Sequence, residues 1–184
     1  MKKYIFDCDP GHDDAIAVIL AAAHLDIIGL TTVGGNQTIG KVTTNALKVL
    51  EKIGKSDIPV FPGAEAPWIQ ELEIAPMFHG DSGLDGPVLP EPTKTAGSIP
   101  GPQFIVESVH KHNKLSMIAT GPLTNIATAL QLDPHIAQGI EEIFIMGGSA
   151  TFGNWTPAAE FNIYVDPEAA YKVFNAGIPL RMSG

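Results

Sequence analysis

Four carboxylates lie within eight residues near the start of the chain, at Asp7, Asp9, Asp13 and Asp14. They follow Tyr4-Ile5-Phe6, an apolar run that predicts a short buried strand. Side chains alternate along an extended segment, so Asp7 and Asp9 are expected to point to the same side. Asp13 and Asp14 stand where a helix is predicted to begin, and the helix dipole favours ionised carboxylates there.

So many acids in one turn repel each other unless a cation lies among them. Oxygen ligands of this kind suit a hard ion, calcium or magnesium. Two other interpretations stay open. One or two of the acids simply cap the helix while the rest are solvated, or the Asp-x-Asp after the first strand supplies the nucleophile and acid of an aspartyl phosphatase. The second Asp pair, and the lack of a clear lysine-plus-acid set downstream, favour the metal site.

A second polar cluster is GNWTPAAEFN, which contains Asn154, Glu160 and Asn162. Amide and carboxylate groups suit the hydroxyls of a sugar, because each hydroxyl both donates and accepts a hydrogen bond. The same residue types are also common in turns. Asn36 follows the second predicted strand, and Thr120 follows a later one.

The apolar pattern along the chain alternates between strands and helices. The predicted strands span 4–6, 27–33, 59–61, 115–119, 143–146 and 178–182, and the predicted helices span 15–25, 39–53, 103–112, 123–130 and 167–175. Long loops are expected over 62–102 and 147–165. This alternation predicts an α/β protein with a mainly parallel central sheet and helices on both faces. In such a sheet ligands bind beyond the carboxyl ends of the strands, where both polar clusters fall.

Composition narrows the function classes. The 184 residues allow one domain, and 20 Asp and Glu against 11 Lys and Arg give a net charge of -9. Such a charge argues against nucleic acid and anionic membranes as partners. Cys8 is the only cysteine, which excludes an intramolecular disulfide and a cysteine-built zinc site. The longest apolar run, 15–23, is too short to span a bilayer, so we expect a soluble, cytoplasmic protein.

Several motifs, in this order and spacing, resemble the nucleoside hydrolase family, the calcium-dependent N-ribohydrolases of inosine, uridine and related nucleosides. They are DCDPGHDDA, VGGNQT, HGDSG, ATGPLTNIA, IMGG and GNWTPAAEFNIYVDPEAA. The resemblance runs from Lys3 to about Pro179. It implies a Rossmann-like core that hydrolyses the N-glycosidic bond of a small-molecule ribonucleoside. The residues of the segments HGDSGLDGP and GNWTPAAEFN are most similar to those of bacterial family members that prefer pyrimidine ribonucleosides.

The resemblance also implies roles for individual residues. Asp9 and Asp14 would bind Ca²⁺ through their carboxylates and Thr120 through its main-chain carbonyl, with Asp9 also the general base on a calcium-bound water. His79 would be a second catalytic residue beside the base. The expected substrate-binding residues are Asp13, Asn36, Met146, Asn154, Glu160 and Asn162.

The chain departs from the family pattern at its end. Family members continue with a Leu-Asp-x-Thr stretch whose Asp completes the calcium site, so we expect residues 1–184 to form one nucleoside hydrolase-like domain that lacks the family's C-terminal region. Apolar surfaces left open by that difference favour a homo-oligomer. Two function classes follow: a ribonucleoside hydrolase, or a catalytically inactive relative that retains ribose and calcium binding.

Overall fold

Six parallel strands form the sheet at the centre of the protein. The computed structural model describes residues 2–184. In chain order the strands are β1 (Lys3–Cys8), β2 (Asp26–Thr32), β3 (Val60–Pro62), β4 (Leu115–Ala119), β5 (Ile140–Met146) and β6 (Leu180–Ser183). They lie side by side in the order β3-β2-β1-β4-β5-β6. The predicted α/β class with a mainly parallel sheet is therefore confirmed.

Helices cover both faces of this sheet. They are α1 (His12–His24), α2 (Ile39–Lys52), α3 (Pro76–His79), α4 (Gly101–His112), α5 (Thr124–Leu132), α6 (Phe161–Val165) and α7 (Pro167–Phe174), with a 3-10 turn at Pro134–Gln138. The helices α1 and α2 pack on one face, and α4, α5 and α7 on the other. Within residues 2–184, no helix is long and apolar enough to cross a bilayer.

The period of the apolar residues explains this layering. In β1, Ile5 is buried on the side of α4 and α5, and its neighbour Phe6 is buried on the side of α1 and α2. In α2, four apolar positions recur at helical spacing and are buried. These positions are Val42, Ala46, Val49 and Leu50. Cys8 is buried in the same core, and burial raises the pKa of its thiol.

The main differences from the predicted elements fall in the two long loops. Each contains a short helix, α3 in the first and α6 in the second. A helix of four or five residues is too short to show apolar periodicity. Local signals account for both: Pro76 occupies the first turn of α3, and the Glu160 side chain caps α6 by accepting from two main-chain N–H groups. The last strand begins at Leu180, two residues later than predicted.

A buried carboxylate, that of Asp166, joins three segments of the chain. Asp166 accepts hydrogen bonds from the Trp68 main-chain N–H at 3.1 Å, the Thr124 hydroxyl at 2.7 Å and the Ala169 N–H at 3.0 Å. It therefore caps α7 and ties that helix to α5 and to the long loop. No solvent reaches Asp166, so each donor depends on it.

Replacing Asp166 by Ala leaves these three donors without an acceptor. We expect the free energy of unfolding to fall by roughly 3 kcal/mol, from lost buried hydrogen bonds and a lost cap. Urea denaturation measures this change. The matched control is Asp57→Ala, at an exposed turn, which should change stability by less than about 0.5 kcal/mol. Equal stability of the two variants would contradict the role of Asp166.

Candidate active site

The order of the strands opens a crevice at the carboxyl edge of the sheet. β1 and β4 are neighbours, but the helix that follows β1 packs on one face and the helix that follows β4 packs on the other. The two connections therefore diverge from the same point. This is the topological switch point at which open α/β sheets bind ligands.

Asp9 directly follows β1 at this edge of the sheet and is completely buried. Its Oδ2 accepts a hydrogen bond from the Asn36 main-chain N–H at 2.6 Å, and the Asn36 side-chain amide donates to the Asp9 carbonyl oxygen at 3.1 Å. The other carboxylate oxygen, Oδ1, has no hydrogen-bond partner among the described residues. A buried carboxylate oxygen without a partner is costly, so this atom is suited to a cation or a water molecule.

Asp14, in the first turn of α1, is the second buried carboxylate of the crevice. It accepts hydrogen bonds from the Gly11 N–H at 3.1 Å, from the Asn36 amide at 3.3 Å and from the Thr120 hydroxyl. Asn36 thus bridges Asp9 and Asp14, and Thr120 joins the end of β4 to the same group. Residues that follow β1, β2 and β4 therefore meet a residue of α1 at one point, the edge at which the sequence predicts them.

The two carboxylates destabilise each other's charge. Burial, and then the charge of Asp14, raise the pKa of Asp9 well above its usual range. Burial likewise raises the pKa of Asp14 to about 7, against the lowering effect of the Thr120 hydrogen bond. A cation between them would offset both effects.

Asp7 supports this arrangement from below. Its Oδ1 accepts from the Thr31 hydroxyl and from the Asn125 amide, the latter at 2.8 Å, while Oδ2 has no partner among the described residues. Burial raises the pKa of Asp7 to about 7, although both hydrogen bonds lower it. Asp7 therefore joins β1 to the neighbouring β2 and to α5.

A wall of the crevice comes from the loop after β5 and from α6. The Asn162 amide donates to the Thr120 carbonyl at 2.9 Å and to the Met146 carbonyl at 3.1 Å. Glu160 accepts from main-chain N–H groups of Gly148 and of α6. These bonds hold the AEFN segment against the ends of β4 and β5. Asn154 accepts from the Phe161 N–H at 2.8 Å and so fixes the rest of the loop.

These groups enclose a cavity of about 320 Å³, within the range of roughly 300–1,000 Å³ found for small-molecule sites. Its lining includes all the predicted substrate-binding residues and His79. They are Asp13, Asn36, His79, Met146, Asn154, Glu160 and Asn162, with Thr120. Three aromatic side chains that the sequence analysis did not assign to the site also line the cavity: Phe78, Trp155 and Phe161.

His79, at the end of α3, joins the long loop to the cavity. Its Nε2 lies 3.9 Å from Asp13 Oδ1, and its Nδ1 lies 3.1 Å from Nδ1 of His12. Burial lowers the pKa of His79, Asp13 opposes that shift, and His12 adds to it. The sequence alone does not pair His12 with His79, because the two histidines are 67 residues apart. The place of His12 in the same turn as Asp13 was the available signal.

The expected cation ligands come together, but as a small set. Asp9 and Asp14 provide two carboxylates, and Thr120 a carbonyl oxygen that already accepts one hydrogen bond and has a second lone pair. Across residues 2–184, no three His, Cys, Asp or Glu side chains converge as a metal-ligating group. The orphaned Oδ1 of Asp9 and the oxygen-only donors nevertheless fit a hard cation.

A larger groove of about 740 Å³ lies elsewhere, between α5, α7 and the segment at Trp68 and Ile69. Its only charged lining residues are Glu168 and Lys172. Since it lacks converging buried carboxylates, the chemistry is more readily assigned to the smaller cavity.

The fold and the cavity together define an α/β protein with a site, lined by amides and carboxylates, that suits a small polar ligand. Residues 4–184 match the family model described as inosine-uridine preferring nucleoside hydrolase, and the chain belongs to this family. It is 52% identical over 183 residues to the pyrimidine-specific ribonucleoside hydrolase RihA of Shewanella oneidensis. It is 54% identical over 190 residues to the protein of that name from Photobacterium profundum.

Solved structures agree with the family assignment. The plant nucleoside hydrolase PpNRh1 matches with a TM-score of 0.92 at 38% identity, over 100% of this chain and 59% of that one. The purine-preferring ribonucleoside hydrolase from Gardnerella vaginalis matches with a TM-score of 0.95 at 34% identity, over 98% of this chain and 60% of that one. The match with the Shewanella relative spans 98% of this chain and 58% of that relative. The match with the Photobacterium relative spans 100% of this chain and 60% of that relative. This chain therefore spans less than two thirds of the length of these relatives.

The close approach of Gly35 to Asp9 gives a test of the site's packing. A Cβ at Gly35 would lie 2.2 Å from Asp9 Oδ2, so Gly35→Ala must displace the buried carboxylate. We expect the free energy of unfolding to fall by about 1–3 kcal/mol, the usual range for overpacking. Chemical denaturation measures it.

The matched control is Gly40→Ala on α2, where a Cβ meets nothing within 4 Å. That change should be neutral or stabilise the helix by up to about 1 kcal/mol. If both variants were equally stable, Asp9 would not be packed against Gly35 as described.

Proposed function

We propose that this protein hydrolyses the N-glycosidic bond of ribonucleosides, with a preference for pyrimidine nucleosides, and that calcium is its metal ion. The observation that carries the proposal is the orphaned, buried Oδ1 of Asp9, a residue that Asn36 joins by two hydrogen bonds to a cavity lined by amides and carboxylates. The names of the relatives from Shewanella and Photobacterium support the reaction and the pyrimidine preference.

The groups around the cavity suit binding of a ribose. Its hydroxyls each donate and accept, and Asp13, Asn36, Asn154, Glu160 and Asn162 offer both kinds of partner. Asn36 and Asn162 are held by bonds to Asp9 and to Thr120, so their orientation is set before a ligand arrives. Met146 lies beside them as an apolar contact for the sugar.

Asp9 is the general base of the proposed reaction. Its free Oδ1 takes a proton from the attacking water, whose oxygen then bonds to the anomeric carbon. As the C–N bond breaks, its electron pair leaves with the base, and positive charge develops on the sugar. The carboxylates of Asp13, Asp14 and Glu160 stabilise that charge electrostatically.

His79 is the proposed acid on the leaving-group side. It lines the same cavity as the ribose-binding residues, with its Nε2 on the side of Asp13. A proton from Nε2 to the departing base neutralises the electron pair that the base takes with it. The aromatic side chains Phe78 and Trp155 give the base a stacking surface.

Asp9, Asp14 and the Thr120 carbonyl would hold the calcium ion. When bound, calcium lowers the pKa of water and so eases the task of Asp9. Affinity depends on the number and charge of the ligands, and two carboxylates give a weak site. A second candidate function, ribose and calcium binding without turnover, is favoured by this small ligand set.

Release of ribose from uridine, cytidine and inosine tests the reaction, first with calcium and then with a chelator. We expect turnover that is fastest on the two pyrimidine nucleosides and lost with the chelator. Asp9→Ala should lower the rate by roughly 10²- to 10⁴-fold, the usual contribution of a general base. The control Asp81→Ala removes a carboxylate outside the cavity lining and should leave the rate unchanged. A folded chain that binds uridine without releasing ribose would support the second candidate instead.

Thermal unfolding tests the calcium site without relying on turnover. In chelator, Asp9→Asn should unfold at a higher temperature than the unsubstituted chain, because the change removes a buried charge beside Asp14. Added calcium should raise the midpoint of the unsubstituted chain but not that of Asp9→Asn. An equal calcium shift in both proteins would place the ion elsewhere, and a larger shift with magnesium would change the assigned metal.

Three further expectations complete the proposal. Residues 1–184 act as one domain, and the protein is cytoplasmic.

Chains associate, because large apolar side chains such as Ile69 and Tyr171, which are 75% and 73% exposed, line an open groove. Sedimentation that shows only monomers would contradict the association.

A further inference from the structure

His12 and His79 form a hydrogen-bonded pair at the rim of the cavity. Their Nδ1 atoms lie 3.1 Å apart, and Nε2 of His12 lies 2.7 Å from the main-chain carbonyl oxygen of Asp85. The pair therefore joins the start of α1 to the end of α3 and to the loop that follows. His12 is not among the cavity-lining residues, so it acts on the site only through His79.

The Asp85 contact fixes where His12 carries its hydrogen. A carbonyl oxygen only accepts, so Nε2 of His12 must be the N–H donor in this bond. In a neutral imidazole the other nitrogen then has a lone pair and must accept. Nδ1 of His12 faces Nδ1 of His79, so His79 supplies the hydrogen from its own Nδ1.

A second contact points the opposite way and is the weaker one. The His12 main-chain N–H lies 3.3 Å from the same Nδ1 of His79, where it would require a lone pair. The side-chain contact is shorter, at 3.1 Å. His12 is also the exposed first residue of α1, whose N–H has no partner within the helix and is free to bond water.

The ring of His79 packs against the aspartate turn. A Cβ at Gly11 would lie 2.7 Å from Nδ1 of His79 and 2.8 Å from its Cε1, so the ring lies directly on the glycine of the aspartate turn. With Nδ1 directed at His12, Nε2 is the ring nitrogen left toward Asp13. Nε2 is therefore the atom that exchanges a proton on the side of the cavity.

We propose that His12 is a positioning residue that keeps a hydrogen on Nδ1 of His79 in both its charged and its neutral state, so that the doubly protonated ring delivers its Nε2 proton, taken up from solvent, to the leaving base. The inference rests on the proposed function for its consequence, but not for the hydrogen-bond arrangement. When the C–N bond breaks, the proton on Nε2 passes to the base and His79 becomes the neutral Nδ1–H form. The Nδ1 of His12 accepts from that form, which stabilises it.

Nitrogen NMR of the histidine rings tests the arrangement directly. At a pH where His79 is neutral, we expect its Nδ1–H tautomer in the unsubstituted chain. His12→Phe keeps a ring but removes the acceptor, so His79 should change to the Nε2–H form. His12→Asn should retain Nδ1–H, because the Asn Oδ1 occupies a position near that of the lost Nδ1 and accepts.

His24→Phe, at the other end of the same helix, is the matched control and should leave His79 unchanged. An Nε2–H form in the unsubstituted chain, or an unchanged tautomer in His12→Phe, overturns the proposal. Both readouts are independent of turnover, so they decide the arrangement even if the chain releases no ribose. In that case the proposed function fails separately.

Two substrates test the consequence. Uridine needs a proton on its leaving base, whereas 4-nitrophenyl riboside releases a stable anion. We expect His12→Phe to lower kcat on uridine by roughly 10- to 100-fold, a part of the effect of a general acid, and His12→Asn to restore most of it. The rate on 4-nitrophenyl riboside should stay unchanged. An equal loss on both substrates would mean that His12 only supports the structure, and the proposal would be wrong.

Discussion

Three carboxylates held out of water, those of Asp7, Asp9 and Asp14, are the constraint on which the rest of this structure depends. Each is buried, and burial raises the pKa of each. Such groups persist only where donors or cations compensate them. Much of the sheet edge serves this purpose: Asn36 from the loop after β2, Thr120 from the end of β4, and Asn125 from α5. The compensation is incomplete at Asp9, whose Oδ1 has no hydrogen-bond partner among the described residues. This oxygen is the atom that we assign to the proposed reaction.

The same constraint links the fold to the cavity. The Asn162 amide donates to the Thr120 carbonyl, and the Glu160 side chain caps the start of α6. Because the Thr120 hydroxyl donates to Asp14, α6 is linked to that buried carboxylate. The cavity-lining residues of α6 therefore share a hydrogen-bond network with Thr120 and Asp14. A ligand that contacts these lining residues also affects the buried carboxylates.

Much of this site could be predicted from the sequence because its residues follow strands. A parallel sheet brings the carboxyl ends of its strands to one edge, so Asp9, Asn36 and Thr120 had to lie close together. The family resemblance supplied the roles of Glu160 and Asn162, which the sequence pattern alone could not separate from turn residues. The family assignment and the fold class are confirmed, while the residue roles stay predictions.

The features that the sequence did not indicate depend on distant or very local contacts. His12 meets His79 across 67 residues, and Asp166 meets Trp68 across 98, and neither separation leaves a periodic signal. The helices α3 and α6 are too short to show one. Trp155 lines the cavity, and its indole N–H also donates to Glu73 of the other long loop at 2.9 Å.

The strand order has a consequence for how the chain acquires its structure during synthesis. Tyr4 pairs with Ile27 on one side and with Ser116 on the other, so β1 gains its first neighbour early and its second only after the ribosome has delivered β4. Until then one edge of β1 is open, and its aspartates remain hydrated. The carboxylates therefore lose their water late, in the docking step that also brings the donors Thr120 and Asn125.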